Sequence, residues 1–344
     1  SASGNIDAAA VTVAAVTDLG SADINGNITL ADGRTAFDGT VEADSFDAGK
    51  LLAIADLGQV SFSAEGAADI GKKYVDARGK AAVDKIIWHG YEYRDIKLDG
   101  TYADDILRAA VSSDDPNMAF DLDGTLDLSW LEPQYNVVLN IQKADFAATG
   151  LSHDRNRQSW LSCNVEASGE GSSLDYLVGR GTVNNFLYVS GTDTLTTELV
   201  NIVANNSDSG KSISAYSSIA DIEYRSRASY AQVIDYLGNR FLKQFPLMGG
   251  NAPVGDSGFS TDDYSTVTVN IKSGHNLLST FVDDLGLSSE SSLNFAFSPS
   301  TEHYSFALNS GYVEWRDYLF SEVRIDSGAA GAASMHSNAG FFHA

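Results

Sequence analysis

Apolar and polar residues alternate one by one along most of this chain. From Met118 onward, one side carries Met118, Phe120, Leu122, Gly124, Leu126 and Leu128, and the other carries Ala119, Asp121, Asp123, Thr125, Asp127 and Ser129. A period of two predicts a β-strand with one apolar and one polar face. The next run, "QYNVVLNIQ", sets Tyr135, Val137, Leu139 and Ile141 against Asn136, Asn140 and Gln142. "STVTVNIKS" does the same with Val267, Val269 and Ile271, "SLNFAFS" with Phe295 and Phe297, and "HYSFALN" with Phe306 and Leu308. Short turn-forming stretches, "LADGR", "SSDDPN", "SWLEP" and "SPSTE", separate such runs. Successive strands joined by short turns make an antiparallel meander, so the expected class is all-β. Three stretches break the pattern toward helix: "SFDAGKLLAIAD", "SYAQVIDYLGNRFLKQF" and "GHNLLSTFVDDLGL", each expected to cover a patch of sheet. A Gly- and Pro-containing loop at 246–263 marks a soft break in what otherwise reads as one continuous segment from 1 to 344.

Composition sharpens this picture. With 344 residues and a formal net charge of −24, the chain is a poor partner for nucleic acid or an anionic membrane surface, because phosphates attract Lys and Arg. Frequent Gly, Asp, Asn, Ser and Thr with plentiful Tyr and Phe suit many strands and tight turns. The single cysteine, Cys163, excludes an internal disulfide and reads as a buried strand thiol. "SASGNIDAAA" lacks the basic start and apolar core of a secretory signal, and the apolar runs are too short to span a bilayer as helices. The chain is then expected to be either cytosolic or a piece of a longer exported chain, and the strand-like start and the abrupt "SMHSNAGFFHA" end favour a piece.

The chemical motifs dissolve on inspection. "AFDLDGTLDLS" matches the Asp-x-Asp opening of haloacid-dehalogenase phosphatases, in which the first Asp attacks phosphorus and the second protonates the leaving group. That chemistry needs the pair at the end of a parallel strand, whereas Asp121 and Asp123 fall inside an alternating strand with another strand close behind. Asp283 and Asp284 lie in a stretch that reads as helix, out of place as partners. Ser257 in "GDSGF" reads as a turn residue. The six histidines (His89, His153, His275, His303, His336, His343) form no pair at metal-ligand spacing. The reading is therefore of a chain with no catalytic residues, no metal and no cofactor. "YRDIKLDG" (93–100) echoes "FSEVRIDSG" (320–328), a hint of repeated strand units.

The stretch "SFDAGKLLAIADLGQVSFSAEGAAD" and the run from "KIIWHGYEYRDIKLDG" through "SSDDPNMAFDLDGTLDLS" to "FAATGLS" resemble the middle region of the TamB family, within the AsmA-like superfamily. "IADIEYRSRASYAQVIDYLGNRFLKQF" and "STVTVNIKSGHNLLSTFVDDLGL" are similar to a later stretch of its large members. The resemblance spans most of residues 20–328 and rests on strand patterns and turn residues. It implies a long antiparallel sheet curled into a U-shaped groove, a β-taco, with an apolar interior and a few short covering helices. It implies a periplasmic segment of an inner-membrane-anchored protein of a diderm bacterium. The function implied is non-enzymatic: moving phospholipid between the inner and outer membranes, or assisting outer-membrane protein assembly with an Omp85-type barrel as partner. The groove lining would then be Met118, Phe120, Leu122, Leu126, Leu128, Tyr135, Val137, Leu139, Ile141, Val267, Val269, Ile271, Phe295, Phe297, Phe306 and Leu308. Without the resemblance, the same apolar stripe suits an ordinary closed core, as in a structural or adhesive β-sandwich. The phosphatase stands as a remote third reading.

Overall fold

The computed structural model describes residues 2–4, 7–31, 33–152, 157–236, 263–273, 285–298, 303–316, 318–327 and 333–338. Strands take up 75% of it, in one long antiparallel sheet that does not close on itself, with two short α-helices. The all-β expectation therefore holds. The chain divides into two units, residues 1–168 with 185–192 and residues 169–184 with 193–344. The loop at 246–263, expected as a soft break, lies almost wholly outside the described residues.

In the first unit, β1 (Ala2–Gly4), β2 (Ala8–Thr17), β3 (Gly20–Ala31) and β4 (Arg34–Asp47) lead to a short helix, α1 (Ala48–Leu52). There follow β5 (Leu57–Ile70), β6 (Val75–Trp88), β7 (Tyr91–Ala103), β8 (Ile106–Asp115), β9 (Met118–Asp127), β10 (Gln134–Asp145) and β11 (Ser159–Glu170), whose last two residues belong to the second unit. Each strand from β2 to β10 pairs antiparallel with the next. The turns explain the meander. Asp104 and Asp105 both have positive φ, as do His89 and Gly90, and two such residues form the tight turn whose twist matches paired strands. The first expected helix shrinks to five residues. Asp47 caps it by accepting from the Lys50 amide at 3.0 Å, and Ala53, in the left-handed region, ends it.

The second unit takes in a 3₁₀ turn (Leu174–Tyr176) and β12 (Val178–Ser190), of which 185–190 belong to the first. It continues through β13 (Asp193–Ser207), β14 (Gly210–Ser217), β15 (Ala220–Ser226) and helix α2 (Tyr230–Tyr236). Then come β16 (Ser265–Ile271), β17 (Leu285–Leu287), β18 (Ser292–Ser298), β19 (His303–Trp315), β20 (Tyr318–Ser327) and β21 (Ala333–Asn338). The second expected helix is thus described only to Tyr236. Most of the third lies outside the described residues, and its last three, Leu285–Leu287, are strand: they pair with Val313 to Trp315 of β19.

Candidate functional site: an apolar sheet face

Cross-strand register decides which side chains share a face, since directly opposed residues of an antiparallel pair point the same way. In β9 and β10, Leu126 opposes Tyr135, Gly124 opposes Val137, Leu122 opposes Leu139 and Phe120 opposes Ile141. The expected lining residues of this hairpin therefore do come together on one face. Asp121 opposes Asn140 and Asp123 opposes Val138 on the other face. Leu122 is half-buried and Asp123 exposed. Met118, opposite Ala144 past a bulge between Ile141 and Lys143, stays on the apolar side. Leu128 does not lie in the strand: it follows the end of β9, exposed, in the turn whose amide donates to the Asp105 carbonyl. Asp121 accepts from the Gln142 amide at 2.6 Å on the solvent side, in the interior of an antiparallel strand rather than at the end of a parallel one.

The same register carries the face across the first unit. One row, each residue opposed to the next, runs Val13, Ile24, Val41, Ala64, Ala81, Leu98, Val111, Leu122, Leu139. A second runs Ala9, Ile28, Phe37, Ala68, Ala77, Tyr102, Leu107, Leu126, Tyr135. Between them lies a row that sequence reading missed: Val11, Gly26, Gly39, Gly66, Gly79, Gly100, Ala109, Gly124, Val137. Six glycines on six different strands, interrupted only by the small Ala109 on β8, thus make a nearly side-chain-free line flanked by aliphatic and aromatic rows. At its β3–β4 end the backbones approach more closely than a side chain permits. A β-carbon on Gly39 would stand 2.5 Å from the Asn25 carbonyl oxygen and 2.9 Å from the Gly26 Cα, with the Phe37 ring at 3.0 Å. At Gly124 the nearest atom would be 3.8 Å away, an ordinary contact.

No layer covers this face among the described residues. Phe37 is 37% exposed and Leu98 43%, and Ala144 is the first apolar side chain along the chain that is fully buried. At the β8–β9 turn the face ends in a polar cluster. The wholly buried Asp115 accepts from the Tyr91 hydroxyl at 2.8 Å and from the amides of Arg94, Asn117 and Met118 at 3.0, 2.8 and 3.1 Å. Four donors satisfy that carboxylate, so it fixes the turn. An open depression of about 690 Å³ is lined mainly by the polar rows of the same strands, with Lys80 and Lys97 among Glu42, Glu65, Asp99, Asp121 and Asp123, and also by Ala64, Ala81, Leu98, Val111 and Leu122 of the first apolar row. Lys80 pairs with Asp99 at 3.0 Å, and with Glu42, Glu65, Asp121 and Asp123 also on the lining the depression is acidic overall.

In the second unit the rest of the expected lining also shares one face. Val267 opposes Phe295, which opposes Phe306; Val269 opposes Leu293, which opposes Leu308. Here the face is covered. Ile271 (3% exposed), Leu287 and Leu308 (9%) form one buried cluster, flanked by Val269, Leu293, Phe306, Val313 and Ile325. Phe297 (3%) forms another with Ala228 and with Val233 of α2, flanked by Tyr224 and Phe295. Cys163 is buried, and burial pushes its thiol pKa up, as expected of an inert strand cysteine. His153, His275, His343, Ser257, Asp283 and Asp284 lie outside the described residues. Among those described, no group of three or more His, Cys, Asp or Glu is placed to hold a metal, and no helix is long and apolar enough to cross a membrane, which leaves β-barrels unaddressed.

No family model, curated protein or solved structure matches this chain.

Proposed function

We propose that the chain is a segment of a non-enzymatic lipid conduit, in which the apolar face of the first unit holds phospholipid acyl chains and passes them along the sheet, from strand to strand. The observation that carries this reading is the pair of apolar rows kept in register across nine strands with no covering layer among the described residues. Monomeric soluble proteins rarely expose apolar surface of that extent unless something binds it. An acyl chain of about 16 carbons costs roughly 12 kcal/mol to expose to water, at about 0.8 kcal/mol per CH₂. A continuous stripe removes most of that cost and leaves only small steps between neighbouring strands. The glycine row would be the floor of a gutter, with the flanking rows as walls, and the close approach at Gly26 and Gly39 supports a crease there. The family resemblance supplies the setting: the periplasm, between inner and outer membranes, with assistance to outer-membrane protein assembly through an Omp85-type barrel as the related role.

The test is a photo-crosslinking residue placed at positions 122 and 123 in turn, in cells. Phospholipid is expected from 122 and not from 123. Equal capture at both, or none at either in folded protein, overturns the conduit reading.

A further inference from the structure

We propose that the β9–β10 turn is a lipid-surface anchor, and that its Trp130 and Leu131 seat the edge of the first unit's apolar face in a zwitterionic phospholipid bilayer, from which acyl chains enter sideways. The proposal rests on the conduit reading of that face and gives it an entrance.

The turn is built outward. Between Leu128 and Leu131 it presents three large apolar side chains: Leu128 is 43% exposed, Trp130 59% and Leu131 97%. It is also tied in place. The Leu128 amide donates to the Asp105 carbonyl at 2.8 Å. Asp127 accepts from the Ser129 amide at 2.9 Å, from the Ser129 hydroxyl at 2.5 Å and from the Trp130 indole N–H at 3.2 Å. The one polar atom of that indole thus has its partner already, so the ring leaves water without an unsatisfied donor.

Position and charge together name the partner. Leu126, two residues before Leu128, lies in the second apolar row opposite Leu107, which is 38% exposed, so the tip adjoins the open face. Single exposed leucines are ordinary. A Trp and two Leu on one fixed turn, at the margin of an uncovered apolar face, mark a binding surface. Side chains that project singly need no matching hollow in a bilayer, and Trp favours the bilayer interface. The charged residues of this turn and of the β7–β8 turn beside it are Asp104, Asp105, Asp127 and Glu132, with Arg108 further in along β8. Such an acidic surround repels anionic headgroups, which attract Lys and Arg, and suits zwitterionic ones, whose outermost group is a cation.

The experiment uses the full chain with Cys163→Ser and a polarity-sensitive dye on a single cysteine, Leu131→Cys. With vesicles of phosphatidylethanolamine and phosphatidylcholine, the dye at 131 should shift its emission to the blue. A dye at Leu51→Cys, on the exposed apolar tip that α1 forms at the other end of the strands, should not. Trp130→Ala should raise the lipid concentration for half the shift at least tenfold, and Leu128→Ser should raise it less. Both side chains are exposed, so both variants should melt with the parent protein. Replacing part of the lipid by phosphatidylglycerol should weaken the shift. No shift at 131, equal shifts at 131 and 51, or a larger one with phosphatidylglycerol overturns the proposal. Photo-capture at position 122, from lipid with a photoreactive acyl chain, separates the entrance from the conduit. Trp130→Ala should lower capture from vesicles at least fivefold and leave capture from monomeric lysophospholipid unchanged. Equal vesicle capture with and without Trp130 overturns the entrance and leaves the conduit intact. No capture at 122 from either source overturns the conduit reading, and the entrance falls with it.

Discussion

The two units carry the same alternating strands and treat them in opposite ways. In the first, Val13, Ile24, Phe37 and Leu98 stay more than a third exposed on a face that nothing described covers. In the second, Ile271, Phe297 and Leu308 of the equivalent face are buried. Strand patterning therefore specifies that an apolar face exists and leaves open what meets it. The difference comes from the connections. Hairpin turns as short as two residues join most strands of β2 to β10, so little chain is left over to fold back. Between β15 and β16, and again before β18, the second unit carries longer connections, and from these come α2 with its Val233 and β17 with its Leu287.

The sharpest way to break this contrast is to place the same charge on each face. Leu308→Asp should cost about 4 kcal/mol or more, enough to unfold the second unit, because a carboxylate there has neither water nor a partner. Leu122→Asp, half in water, should cost about 1 kcal/mol. Urea denaturation followed by hydrogen exchange assigned to each unit reads both values, and equal costs would mean that the first face is closed after all.

The glycine row offers the next largest effect, within the first unit alone. Gly39→Ala should cost about 2–3 kcal/mol, since its methyl group would meet a backbone carbonyl that cannot move aside. Gly124→Ala should change stability by less than about 0.5 kcal/mol, since the added carbon makes only ordinary contacts. Matched thermal melts of the two variants test the gradient.

A smaller effect belongs to acid. Burial pushes the Asp175 pKa up, but the bonds from Lys211, the Tyr230 amide and Ser229 together outweigh it and hold the carboxyl below its ordinary value. A depressed folded pKa gives stabilisation that is complete above the unfolded value, about 4, and lost as pH falls through the folded one. Exchange protection of the α2 amides should thus be flat above about pH 5 and fall below about pH 4. The Tyr230 phenol, pushed up to about 12 by burial and then by Tyr224 and Asp175, stays neutral throughout. The smallest effect expected is that of Asp123→Asn, which alters an exposed carboxylate on the polar face and should leave stability within about 0.5 kcal/mol.

Much of this was legible in the residues. The run from Met118 to Asp127 contains its own register, because slipping by one would turn Asp121, Asp123 and Asp127 toward the apolar side. The glycine row was not legible. Gly26 and Gly39 are 13 residues apart, as are Gly66 and Gly79, but α1 and hairpins of unequal length separate the others, so no fixed period announces the line. It emerges only from pairing. The burial of Phe297 was hidden for another reason: "SYAQVIDYLGNRFLKQF" reads as a helix, yet the start of that helix is tied down by Asp175, more than fifty residues away and unremarkable in its own surroundings.

The row of glycines also bears on how such a chain can lengthen over evolutionary time. Because it crosses the strands, its continuity depends on how many hairpins there are and not on how long each one is. Duplicating a hairpin like that of Gly26 and Gly39 adds two strands, keeps every later side chain on its own face, and extends the line by roughly 10 Å, twice the inter-strand spacing. Inserting a lone strand would reverse the direction of all that follows. Descendants of such a sequence should differ in length by whole hairpins, each one a repeat of a unit already present.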